Sequence, residues 1–131
     1  LIGNNSTEGK RGIRLRAGTK VNIYNAIVTG KPKCLTTETT QTETSLVGKE
    51  SKLQYITLAR DIDCKEGLYS SARFTEDANH NTINRPFTFS DVYVGTIDGG
   101  ADLSSDKFFT AAAYQGAVKA GNDWTKGWTK K

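Results

Sequence analysis

Methionine is missing from this 131-residue chain altogether, histidine occurs once, and cysteine and proline occur twice each. With no methionine even at position 1, the chain reads as a processed or truncated piece of a longer protein, not as a natural translation start. A lone His80 and two cysteines supply too few ligands at ligand spacing for a zinc site. No stretch approaches the ~18 apolar residues of a membrane-spanning helix, and none forms the apolar centre of a signal peptide. The net charge is +4, and basic residues gather only at Lys119, Lys126, Lys130 and Lys131. Acidic residues interrupt every other basic stretch, which argues for a solvated surface and against a nucleic-acid-binding stripe.

What the chain does have is glycine, threonine, asparagine and aspartate in plenty beside 36% hydrophobic residues, the make-up of a turn-rich β domain. Residues 12–17 (GIRLRA) alternate with period two, setting Ile13, Leu15 and Ala17 opposite Arg14 and Arg16. Residues 21–28 (VNIYNAIV) form a second strand, with Val21, Ile23 and Ile27 on one side, and the turn Gly30–Lys33 ends it. A third extended piece runs from Leu35 to Thr40. The run Thr36–Ser45 is expected as a Thr-rich strand face, with a protruding loop near Thr40–Thr44 as the alternative.

The pattern then recurs at an offset of roughly thirty residues. Leu46-Val47, the break at Gly48 and then Lys52–Ala59 mirror the earlier pair of strands. Cys34 and Cys64 anchor the offset, and Gly67–Phe74 completes the second cycle. Such a repeat suggests a parallel β-solenoid, while a sandwich or jelly roll remains open, since any meander spaces strands regularly. Further on, residues 76–84 read as a polar loop and Phe87–Val94 as another alternating strand. Asp98-Gly99-Gly100 makes a turn, and Ser104 or Ser105 caps a brief helix through Asp106 to Ala113.

The last quarter carries an aromatic series: Phe108, Phe109, Tyr114, Trp124 and Trp128. Both tryptophans stand within five positions of each other near the end. A tail built this way either folds back onto an apolar surface or presents flat rings to a ligand.

Three stretches together resemble the C-terminal part of a family of exported Bacteroidetes β-helix proteins, surface lipoproteins or secreted proteins of uncharacterised function. They are Gly12–Gly18, Ile23–Gly30, and the ending with Phe108-Phe109, Tyr114–Ala117, Asp123-Trp124 and Gly127-Trp128. The resemblance implies an all-β, right-handed parallel β-helix located on the outer-membrane surface or outside the cell. It supplies no catalytic residues to carry over. The expected division is a lead-in segment at 1–11, β coils at 12–97 and an irregular aromatic cap at 98–131. Because residues 1–11 offer neither helical periodicity nor an aromatic lid, the first coil is expected to lie open and to be covered by a second copy.

Within that frame each candidate site has two readings. Cys34 and Cys64 are either thiols or a disulfide. Equivalent turns of successive coils would lie about 4.8 Å apart, which favours the disulfide in an exported protein. His80 is expected as an exposed loop residue. Asp61 and Asp63 share a strand face and are the weak candidates for a paired-carboxylate site, with ordinary turn chemistry preferred. Asp98, Asp102 and Asp106 lack a recognised calcium-loop spacing, so no cofactor is expected and Ca2+ is the remote exception. Trp124 and Trp128 are expected to cover the open end of the last coil, with sugar stacking as the alternative.

The functional expectation is a non-catalytic scaffold or ligand-binding accessory, its partner a carbohydrate or a surface protein. The alternatives are part of a polysaccharide lyase or hydrolase and a β-sandwich adhesin.

Overall fold

The computed structural model describes residues 1–129, so Lys130 and Lys131 of the basic cluster lie outside the described residues. Strands β1 (Arg11–Leu15), β3 (Lys33–Thr37) and β5 (Ile62–Cys64) form one sheet in that order, all parallel. Strands β2 (Asn22–Val28) and β4 (Lys52–Leu58) form a second parallel pair. Single parallel bridges extend the second stack on both sides, Ile2 to Thr29 and Thr57 to Thr82. Each pass of the chain therefore adds one rung to each stack. The antiparallel sheets of a sandwich or jelly roll do not describe this pairing.

The stacks meet over a shared core of Leu15, Val28, Leu35, Leu53, Ile56, Leu58 and Phe74. Of the predicted inner face, Leu15 is buried and Ile13 packs on the core, but Ala17, left-handed at φ +55°, is exposed. The predicted phase of β2 is only half right. Val21 and Ile23 pack on the core, but Asn25 is left-handed (φ +57°), and this interrupts the period of two. Ala26 and Val28 thus turn inward, while Ile27 is buried under the opposite face, against Gly116.

The lead-in segment also forms a rung. Gly3 N–H donates to Thr29 O and Asn5 N–H to Gly30 O, both at 2.8 Å. Gly3 and Gly30 touch backbone to backbone: a Cβ on Gly30 would stand 2.2 Å from Gly3 O, and Gly30 has φ +66°. No side chain fits there.

The Thr-rich run is not an extended face, and Leu46-Val47 is helical and no counterpart of β1. The run leaves β3 at Thr37 and forms helix α1 (Thr40–Val47), ended at Gly48. Its threonines are poor helix formers, so tertiary contacts impose the helix. Thr42, Glu43, Ser45 and Leu46 are buried on its inner face. Glu43 is fully buried, and its carboxylate accepts from Thr37 Oγ1 and from the backbone N–H groups of Glu66, Leu68 and Tyr69. Burial alone would raise its pKa, but these donors more than offset that and hold the carboxyl below its ordinary range.

Three further expectations are corrected. Residues 67–74 end in a short helix α2 (Ser71–Phe74), with Ser70 Oγ accepting from Arg73 N–H in an N-cap, not in a strand. Phe87–Val94 is irregular: its two phenylalanines meet edge to face with centroids 4.7 Å apart. Residues 104–113 form turns and no helix, because Asp102 and Asp106 fold back onto the N–H groups two residues on.

The C-terminal part contains the antiparallel pair β6 (Gly95–Asp98) and β7 (Tyr114–Val118). β7 lies against β2 and β4. Thr57 Oγ1 donates to Gln115 Oε1 at 2.7 Å, and Asn25 clasps Ala101 by both its N–H and its C=O. Gly116 (φ +102°) makes this approach feasible, since a Cβ there would stand 2.9 Å from Gly95 O and 3.1 Å from Ile27 Cδ1.

Candidate functional site

The aromatic tail divides between two places. Phe108 and Phe109 meet edge to face at 5.1 Å and are 85% and 44% exposed. Phe109 lines a shallow groove with Ile23, Tyr24 and Leu103. Trp124 and Trp128 stand elsewhere, above the outer face of β2, and Lys119 lies over the Tyr114 ring at 5.4 Å.

The expectation that the two tryptophans form a buried lid is corrected, as they are 57% and 68% exposed. Their orientation is nevertheless set. Trp124 Nε1 donates to Ala117 O at 2.8 Å, and Trp128 Nε1 donates to Trp124 O at 2.9 Å. With the polar edges satisfied inside the protein, the ring faces are left for solvent or a ligand. The centroids are 5.5 Å apart with the planes inclined by 38°.

The indoles border a cleft of ≈ 630 Å³ whose other walls include Phe89 and Tyr93, over a floor of Ile27 and Gly116. At its rim Tyr93 Oη meets Thr129 Oγ1 at 2.6 Å and Thr125 Oγ1 at 3.2 Å, a chain of hydroxyls. Phe89, Tyr93 and Thr125 did not stand out in the sequence. Phe89 and Tyr93 lay in a stretch read as a strand, and Thr125 joins the cleft only because the tail folds back.

The remaining candidates are not brought to this cleft. Asp63 is paired with Lys33 and with Lys65 (2.9 Å), and the hydrogen bond from Lys33 foremost holds its carboxyl below the usual range. Asp61 accepts from Ser71 Oγ at 2.6 Å and from Ile62 N–H. Both carboxylates are thus engaged in local structure. His80 is exposed, as expected, and stacks on Tyr55. Among the described residues no cluster of three or more His, Cys, Asp or Glu could hold a metal ion, and no helix is long and apolar enough to cross a membrane.

The disulfide expectation is also corrected: Cys34 and Cys64 are free thiols. The register places Cys64 beside Thr37, three positions beyond Cys34, or about 10 Å along the strand. The thirty-residue offset holds for β2 and β4 (Asn22 opposite Lys52), whereas β3 and β5 are offset by twenty-seven (Leu35 opposite Ile62). Cys34 is fully buried with its thiol toward Val28 O, and burial pushes the Cys64 thiol up.

Parallel strands stacked pass upon pass, each pass giving one strand to each stack, are the organisation of the β-helix class. The chain belongs to the pectate-lyase-like β-helix domain family, which it matches over residues 1–129. No curated protein and no solved structure gives a significant match.

Proposed function

We propose that this chain is a non-catalytic, carbohydrate-binding part of an exported cell-surface β-helix protein, with the Trp124–Trp128 cleft as its binding site. The observation that carries the reading is the pair of exposed indoles, held by their own N–H groups at the mouth of a concave apolar site. Flat aromatic faces of this kind attract the C–H faces of sugar rings. Family membership supports a polysaccharide-related role. Binding is favoured over turnover because no Asp, Glu or His is among the described lining residues, so an acid–base pair across a glycosidic bond is missing there.

In this reading the coils wind right-handed, as parallel crossovers do in about 98% of cases. They run to the last rung near Arg85, whose N–H donates to Leu58 O. The residues beyond act as a combined cap and binding platform.

The test is a glycan panel read by tryptophan fluorescence and calorimetry, with a parallel assay for released oligosaccharides. Saturable binding without product supports the proposal. Product release would assign the chain to a polysaccharide-active enzyme, and the lack of any binding across the panel would remove the glycan role.

A further inference from the structure

Resting on that reading, we infer that the Trp124–Trp128 cleft selects neutral saccharides and discriminates against polyuronates. Its described lining residues include no Asp, Glu, Lys, Arg or His. The one formal charge among them is the α-ammonium of Leu1, which spends one N–H on Ile27 O at 2.7 Å and which burial shifts toward the neutral amine.

A carboxylate-bearing sugar entering an apolar cleft loses hydration and needs a cation or several N–H donors in return. The donors nearest the cleft are engaged elsewhere. Asn25 is committed to Ala101 and Ala112, and both indole N–H groups are bound to backbone carbonyls. What the rim offers instead is the Tyr93, Thr125 and Thr129 hydroxyl chain, in which Thr125 Oγ1 donates to Asp123 Oδ1 and Thr129 Oγ1 to Thr125 O, so that the chain meets a ligand with oxygen acceptors. Such oxygens accept from the hydroxyls of a neutral sugar, whereas a carboxylate brings them no proton and finds no positive charge there. The two ring faces, 5.5 Å apart and inclined, suit adjacent pyranose units of one chain better than a single ring.

The experiment titrates the whole chain with xylo-, cello- and manno-oligosaccharides and, separately, with oligogalacturonate, following tryptophan fluorescence and heat at low and high salt. At least one neutral series is expected to bind, with little dependence on ionic strength, because no ion pair forms. Oligogalacturonate is expected to bind at least about tenfold more weakly. Trp128→Ala is expected to weaken the neutral ligand by about tenfold, and a melt of the same variant verifies that it is folded. Equal or tighter, salt-sensitive binding of oligogalacturonate overturns the neutral selectivity and leaves the glycan reading standing. Binding of neither class, with an amphipathic peptide bound instead, overturns both.

Discussion

Tyr55 and His80 stack face to face on successive passes of the chain, with centroids 4.5 Å apart and planes at 26°. Both are left-handed, φ +54° and +53°, and the register places Asn25 (φ +57°) on the same line one pass earlier. The line is a corner within the strands, where β2 and β4 each bend partway along their length and then go on pairing. A non-glycine residue in this conformation costs roughly 1–2 kcal/mol, and an aromatic contact returns about 0.5–1.5 kcal/mol. Tyr55→Gly is therefore expected to be close to neutral in denaturant melts, and Tyr55→Ala, which loses the ring and keeps the strain, to be less stable by about 1 kcal/mol. Equal destabilisation by both would show that backbone strain plays no part at this corner.

Glu43 ties helix α1 to the 66–69 turn. Its folded-state pKa lies below the unfolded value of about 4.3, so its contribution is complete above that value and is lost as pH falls through the folded pKa. Glu43→Gln leaves a side-chain NH2 facing backbone donors and is expected to cost about 2–3 kcal/mol at pH 7. Urea melts from pH 7 to pH 3 should show the gap between native protein and variant closing toward the acid end. A constant gap would place the effect in packing and not in charge.

The cysteines should behave as two thiols. Alkylation of the unfolded, unreduced chain is expected to add two labels, and the folded chain is expected to react slowly at Cys34, which is fully buried. Intact mass reads both outcomes, and a label-free unfolded chain would restore the disulfide.

Asn25 and Trp124 make a contrasting pair. Asn25→Ala removes the clasp on Ala101 and leaves a left-handed alanine, so a loss of about 2–3 kcal/mol is expected. Trp124→Ala acts on an exposed ring and should cost about 1 kcal/mol or less. Thermal melts in the reverse order would identify the tryptophan as a structural cap after all.

The local pattern made some of this legible. Period-two alternation marked Ile13 and Leu15, and the likeness of the earlier strands to the stretch ending in Lys52–Ala59 suggested an offset of roughly thirty, which β2 and β4 show. Both signals are carried by neighbours along the chain, where strand geometry alone dictates the spacing. Of the five rings in the aromatic series, Trp124 and Trp128 line the cleft.

Whatever depends on path length around a pass was decided by the tertiary structure. The turn from Val28 to Leu35 spans seven positions and its counterpart from Leu58 to Ile62 only four, so the offset of thirty on one stack becomes twenty-seven on the other, and Cys64 meets Thr37 in place of Cys34. The Thr run became helical because Glu43 and Leu46 found buried partners, a stabilisation that no local propensity encodes. The cleft likewise joins Ile27 to Trp124 across almost the whole sequence. It exists because β7 closes over β2 at Gly116, where the lack of a side chain lets two backbones come together.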